Sequence, residues 1–389
     1  MLLSFAMMLL LGMAAGWACA RLKLPPLLGM LLTGVLLGPC CLNVLDETVL
    51  TISPQLRRMA LVIILLRAGL NLRLEDLKKV GRSAILMCFV PACCEIAGMV
   101  LLAPMLFPLS RVEALVLGTV IAAVSPAVIV PHMLRIMEEG YGVERGIPQM
   151  ILAGASADDV FVIVLFTSCT AMAAGGSFAP AALLKIPLAI LLGMAGGAAA
   201  GELLYRFQRA VRLSGEKSLI VCLCVAFLLL SVEDASAGYF SGLIGVMTMG
   251  MRFARCWEEA ALSLSLSFSR LWTGAEILLF VLVGAAVDVG YAFRAGPAAI
   301  ALIFAVLVFR MLGVLLCVAG TSLRPRERLF CALAYTPKAT VQAAIGAIPL
   351  SMGLACGNTV LTVAVIAILV TAPLGAFLID LSYRRCLSP

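Results

Sequence analysis

The chain has 389 residues, of which 63% are hydrophobic and 13% charged, with a mean hydropathy of +1.13; this is too apolar for a soluble domain and calls for lipid as the solvent. The formal net charge of +7 resides in short connections between apolar stretches, so it carries no indication of nucleic-acid binding. The 14 cysteines are scattered, often within apolar runs (Cys40-Cys41, Cys93-Cys94, Cys222, Cys224), and lack paired zinc-ligand spacing; they read as small packing residues.

Apolar stretches long enough to cross a hydrocarbon core of about 30 Å recur along the whole chain. In order, they predict helices over Leu2–Ala20, Pro26–Asn43, Met59–Leu72, Ser83–Phe107, Glu113–Leu134, Ile147–Ala173 and Ala181–Tyr205. Six more are expected over Ser218–Val232, Ala237–Met251, Leu271–Val289, Gly296–Gly320, Leu329–Leu350 and Asn358–Leu381. The fold class is therefore an all-α polytopic membrane protein of about thirteen transmembrane helices. The third span is short and contains Arg67.

Lys and Arg test this count, because cytoplasmic connections are enriched in them. Placing the first connection inside collects Arg21, Lys23, Lys78, Lys79, Arg135, Arg145, Arg206, Arg324, Arg384 and others on one side, roughly 20 of the 28 basic residues. The N-terminus is then outside and the C-terminus cytoplasmic. Cleavage after Ala18-Cys19-Ala20 would invert every later connection, and the first segment lacks a basic start, so it reads as a span and not a signal peptide.

Two weak internal echoes are present. The third span ends in Leu66-Arg67-Ala68-Gly69-Leu70-Asn71-Leu72 and the tenth in Val283-Gly284-Ala285-Ala286-Val287-Asp288-Val289. The fifth carries Ser125-Pro126 with Pro131 beyond, the twelfth Thr336-Pro337 with Pro349 beyond. Each pair lies seven spans apart, and an odd offset in an alternating topology relates spans of opposite direction, the mark of an inverted repeat. A proline inside a helix removes a donor and clashes with the preceding turn, so both spans should break. Broken backbone at membrane depth lines a cavity or is buried in protein, and half-helix ends offer dipoles and free carbonyls to an ion. Two crossed broken helices near the midplane are expected, marked by Ser125, Pro126, Thr336 and Pro337.

Ionisable residues within spans are costly and are a functional signal. Asp158 and Asp159 lie in mid-span in Ala155-Ser156-Ala157-Asp158-Asp159-Val160; Glu95 lies in the fourth span, Arg310 in the eleventh, and Lys338 directly after the second break. The last three could simply be ion-paired packing residues. Adjacent carboxylates resist burial without a cation, a proton or a basic partner. They point about 100° apart on a helix, so one can face a cavity while the other faces a basic group. Ser156, three residues before Asp159, shares its face and can add a hydroxyl oxygen. Such hard oxygens suit an alkali cation, and proton and cation can compete for one buried carboxylate.

Ser156-Ala157-Asp158-Asp159, Ser125-Pro126-Ala127-Val128-Ile129-Val130-Pro131 and Pro337-Lys338-Ala339-Thr340-Val341-Gln342-Ala343-Ala344-Ile345-Gly346 resemble the sodium/proton antiporters of the monovalent cation:proton antiporter-2 superfamily, of the NHA, NapA and NhaA type. The resemblance spans nearly the whole chain. It implies an NhaA-like fold, a core (transport) domain near 83–173 and 296–381, a dimerisation scaffold near 1–72 and 181–289, elevator-like alternating access, and a homodimer in the cell (inner) membrane serving pH homeostasis. It further implies that Asp159 carries the monovalent cation (Na+ or Li+, possibly K+) and the proton, and that Asp158 pairs with Arg310. Arg310 stands where NapA and NhaA have a lysine, and since arginine does not release its proton, one-for-one electroneutral exchange is expected. No cofactor, no enzyme activity and no regulatory nucleotide-binding domain after Leu381 are expected.

Competing readings are a sodium-coupled organic-anion symporter of the bile-acid type, an intramembrane enzyme holding magnesium and diphosphate, and a passive channel. The first should have fewer spans and no mid-span acid pair; the second uses spaced D-x-x-D clusters near the surface; the third needs a continuous polar pore. His132, the sole histidine, falls near the cytoplasmic end of the fifth span and reads as an interfacial residue with a capacity to sense pH.

Overall fold

A computed structural model describes residues 1–22, 24–71, 81–175, 180–211, 213, 215–236 and 239–388, excluding the side chains of 156, 157, 160 and 180–187. The elements of the described residues are all helices, in the order α1 (Leu2–Arg21), α2 (Pro26–Leu37), α3 (Glu47–Asn71), α4 (Arg82–Met87), α5 (Val90–Leu106), α6 (Arg111–Ile121), α7 (Pro126–Glu138), α8 (Ile147–Ala174) and α9 (Pro180–Val211). There follow α10 (Gly215–Ala235), α11 (Gly242–Cys256), α12 (Glu258–Ala285), α13 (Val289–Cys317), α14 (Pro325–Ala334), α15 (Thr340–Ile345), α16 (Ile348–Ser351) and α17 (Gly357–Cys386). Among the described residues nine helical segments are long and apolar enough to cross a membrane; Pro26–Leu37, Phe161–Ala174 and Thr340–Ser351 are shorter apolar helices.

Several boundaries differ from the hydropathy reading. α3 begins twelve residues before the expected Met59, taking in Arg57 and Arg58, which were expected in a connection. Arg58 is neutralised there by Asp234 at 2.8 Å and Glu233 at 3.3 Å, a pairing that a hydropathy window cannot register. Leu72, the expected end of that span, lies outside the described residues, as do Arg73, Lys78, Lys79 and Lys23. The expected ninth and tenth spans give way to α11 and a longer α12, which starts at Glu258. The cysteine reading holds for buried Cys169, Cys222, Cys317, Cys331 and Cys356; Cys40, Cys41, Cys93 and Cys224 are exposed.

Both proline-marked spans are broken. α6 opens on a capping box, with Ser110 Oγ accepting from Glu113 N and the Glu113 carboxylate accepting from Ser110 N, and it ends at Ile121. Pro126 then occupies the first position of α7, where its missing N–H would be unpaired in any case, so it starts a new helix and does not kink an old one. In the second span, α14 ends at Ala334 and 335–339 are non-helical before the short α15.

Contacts divide the chain into two compact units. One comprises Met1–Pro54, Leu74–Ala173 and Ile277–Pro389, the other Gln55–Arg73 and Ala174–Glu276. Residues 1–54 and 277–289, expected in the scaffold, fall in the same contact-defined unit as the expected core segments. Glycines bring 1–54 and 277–289 close to one another: a Cβ at Gly34 or Gly284 would strike the backbone of Val281 or Leu31 respectively. In the same unit a buried cluster including Met87, Ile129, Met133, Ile151, Phe330 and Ile379 joins α4, α7, α8, α14 and α17.

In the second unit α9 lies against α11 along Gly193, Gly197 and Gly201, one residue per turn, each opposite a backbone carbonyl of Ser241, Gly245 or Met249. No side chain fits at Gly197. Gly197→Leu must separate the two backbones, and overpacking of this kind costs about 1–3 kcal/mol or more. The expected outcome is a lower melting temperature in detergent, with Gly274→Leu, whose added Cβ meets nothing within 4 Å, near the wild-type value.

Candidate functional site

The site lies within the first unit, where both breaks, α5, α8, α13 and α17 meet. The breaks touch directly, because Ser125 N donates to Pro337 O at 2.9 Å. Each break leaves backbone groups outside any helical ladder, and these must find other partners in the dry interior. Lys338 N donates to Thr371 Oγ1 at 3.0 Å, and one turn along α17 from Thr371, Gly375 gives the Pro337 ring room to nest against the helix. Val124 N donates to Asp158 Oδ2 at 2.8 Å.

The carbonyls at the end of α6 are also occupied. Arg310 Nη1 donates to Ala122 O, and Gln342 Nε2 donates to Ile121 O at 3.2 Å and to Ala123 O at 2.7 Å. Arg310 Nε takes Tyr335 O, at the start of the second break, at 2.6 Å. The expectation of free half-helix carbonyls for an ion therefore fails at these positions: a guanidinium and an amide, both fully buried, reach them first.

The charged side chains form one network. Arg310 Nη2 pairs with Asp158 Oδ2 at 3.0 Å, and Arg310 Nη1 with Glu95 Oε2 at 2.7 Å. Glu95 Oε2 also accepts from Lys338 Nζ at 2.6 Å. Glu95 thus bridges both cations, and all four of these residues are fully buried. Arg310 is suited to the hub because its planar fork presents donors to four acceptors at once. Its guanidinium carbon also lies 5.3 Å from the Tyr335 ring centroid. The Tyr335 hydroxyl donates to Met87 O at 3.3 Å, at the interruption between α4 and α5.

Asp159 differs from its neighbour. It is 9% exposed, has no ion pair among the described residues, and its Oδ1 is buried without a hydrogen bond. The Oδ1 of Asp158, Ser125 Oγ, Thr340 Oγ1 and Gln342 Oε1 are likewise buried and unpartnered. These hard oxygens are of the kind an alkali cation takes. The side chain of Ser156, expected as a further ligand, lies outside the described residues.

The structure therefore brings together Asp158, Arg310, Glu95, Lys338, Ser125, Pro126, Thr336 and Pro337, with Asp159 adjacent to Asp158 on α8. Sequence reasoning did not single out Gln342, Thr371 or Tyr335. A buried glutamine four residues past Lys338 was the available signal for the first; an ordinary helical Thr offers none. His132 lies at the middle of α7, with Nδ1 2.7 Å from Val128 O and Nε2 3.5 Å from the exposed Asp380 carboxylate.

Fold and site together define a polytopic helical membrane protein built around two crossed, broken helices and a buried acid pair. Residues 6–380 match the family described as sodium/hydrogen exchanger, transmembrane, and the chain belongs to that family. It is 34% identical over 382 residues to sodium/hydrogen exchanger 9B2 of Mus musculus, covering 94% of this chain and 69% of that protein. It is 32% identical over 376 residues to sodium/hydrogen exchanger 9B1 of Homo sapiens, covering 92% and 72%. The sodium proton antiporter MjNhaP1 from Methanocaldococcus jannaschii shares the fold, with a TM-score of 0.85 at 20% identity over 99% of this chain and 98% of that one.

Proposed function

We propose that this chain is a secondary active antiporter that exchanges Na+ or Li+ for H+, one for one, with Asp159 as the shared carrier. The observation that carries this reading is the pairing pattern. Three buried carboxylates, Asp158, Asp159 and Glu95, face two cations, Arg310 and Lys338, and both cations are engaged by Asp158 and Glu95. A cluster with every group ionised then has one uncompensated negative charge, on Asp159. One proton or one monovalent cation neutralises it, and the two compete. Family membership favours this over a bile-acid-type symporter or an intramembrane enzyme.

The finer reading places the chain in the monovalent cation:proton antiporter-2 superfamily with NhaA-like inverted repeats. The transport core near 83–173 and 296–381 moves against a scaffold near 1–72 and 181–289 in a homodimer in the cell membrane. The side distribution of Lys and Arg supports an N-terminus outside and a cytoplasmic C-terminus.

The activity is tested by proton flux in proteoliposomes scanned with sodium, lithium and potassium; absence of any cation-dependent flux refutes it. Stoichiometry has its own test. Arg310 keeps its proton at any pH the protein meets, and Lys338 is held by Glu95. Exchange should therefore ignore a membrane potential clamped with potassium and valinomycin while sodium is transported. A rate or end-point that follows the imposed potential indicates two protons per cation and overturns the one-for-one assignment.

A further inference from the structure

Gln342 sits in α15, fully buried, and spends both hydrogen atoms of its amide on carbonyls of the other broken helix. One of them, Ala123 O, belongs to the same peptide unit as the Val124 N–H that binds Asp158 Oδ2. No described peptide is cis, and in a trans unit the C=O and N–H point in opposite directions within one rigid plane. The Ala123–Val124 plane is therefore gripped from two edges, by Gln342 on one and Asp158 on the other. It lies between the end of α6 and the start of α7, so no helical ladder sets its rotation.

We infer that Gln342 is a positioning residue for the acid pair: it locks the Ala123–Val124 peptide so that the Val124 N–H stays aimed at Asp158. This rests on the exchange reading above and adds a residue to it. Among the described residues Asp158 Oδ2 holds two partners, Val124 N and Arg310 Nη2. Loss of the first leaves the Asp158 carboxylate free to swing about the second, which changes the charge and space beside Asp159, the next residue on α8. The neighbouring peptides have their own anchors, since Ala122 O is held by Arg310 and Ser125 N by Pro337 O. The other carbonyl Gln342 takes, Ile121 O, lies in a peptide whose Ala122 N–H already donates to Gly118 O at 2.9 Å, so the Ala123–Val124 plane is the one whose setting depends on Gln342. The effect belongs in cation binding, and the step that moves the loaded carrier should be spared.

The test measures sodium-dependent proton flux in proteoliposomes for Gln342→Met, which keeps the length and removes both donors. The sodium KM should rise roughly tenfold with kcat within about twofold, the scale of one hydrogen bond to a charged group. The same substitution in an Asp158→Asn background should raise KM only about threefold, because the Val124 N–H then meets a neutral acceptor and a charge-assisted bond is about twice as strong. An equal KM effect in both backgrounds makes Gln342 a plain structural brace and overturns the inference, as does an unchanged KM in the Asp158 background. If Gln342→Met does not purify, Gln342→Asn retains the amide one methylene short of its carbonyls. Sodium-induced thermal stabilisation in detergent should then need roughly tenfold more sodium, and a wild-type requirement refutes the inference. A wild-type protein without sodium-dependent proton flux defeats the exchange reading itself, before any variant is compared.

Discussion

Asp159→Asn is expected to abolish sodium-dependent proton flux in proteoliposomes. The amide keeps the size and shape of the carboxylate but neither ionises nor binds a proton reversibly, so it can carry neither cargo. Asp158 does not take over, because its negative charge is already balanced by Arg310, with Oδ2 also held by Val124 N. Asp159 is the carboxylate of the cluster without a cationic partner among the described residues, so its removal takes away the charge that an entering cation would meet directly, while Asp158, Glu95, Arg310 and Lys338 remain paired with one another. Sodium binding should fail along with transport, seen as loss of sodium-induced thermal stabilisation while the fold persists. Asp158→Asn should be milder, since an asparagine oxygen can still accept from Val124 N. Wild-type flux in Asp159→Asn would refute the assignment of the carrier.

Arg310→Ala should have the largest effect on stability. The side chain is fully buried and donates to Glu95, Asp158, Ala122 O and Tyr335 O, so it links α5 and α8 to both breaks. Its removal strands a carboxylate, Asp158, with no cation, and two carbonyls with no donor. Breaking a buried ion pair from one side costs about 3–5 kcal/mol, and unsatisfied carbonyls add about 1–3 kcal/mol each. Since net stabilities are about 5–15 kcal/mol, the variant should aggregate on extraction or melt well below the wild type. Arg310→Lys should fold better but not normally, because a single ammonium cannot serve four acceptors spread around a planar fork. A detergent melting curve checks both variants, and an Arg310→Ala protein with wild-type melting and flux would mean the network is not what holds the breaks together.

How much of this could be read beforehand varies with the range of the interaction involved. Pro126 and Pro337 announced their breaks because the effect of proline is local: it removes a donor and clashes within its own turn. The Asp158-Asp159 pair stood out because an intramembrane charge is costly wherever it sits. The pairing of Asp158 with Arg310 was available only through family resemblance, and the part of Glu95 as a bridge between Arg310 and Lys338 was open, since those partners are 215 and 243 residues away in the chain. Hydropathy also misjudged α3, whose Arg58 is tolerable only because Glu233 and Asp234 come to it from α10.

The sequence by itself determined that the chain lives in a membrane, that its elements are helices, where two helices break, and which adjacent acids fall within a helix. Each of these follows from composition or from forces acting within a few residues. Tertiary structure alone decided which backbone groups at the breaks remain open. The carbonyls of Ile121, Ala122 and Ala123 looked available, yet Gln342 and Arg310, which follow them in the chain by some two hundred residues, occupy all three. Unpaired donors and acceptors at membrane depth have no water to turn to, so they take whichever polar side chain the packing delivers. That choice, made between distant segments, leaves Asp159 as the carboxylate of this cluster without a cation among the described residues.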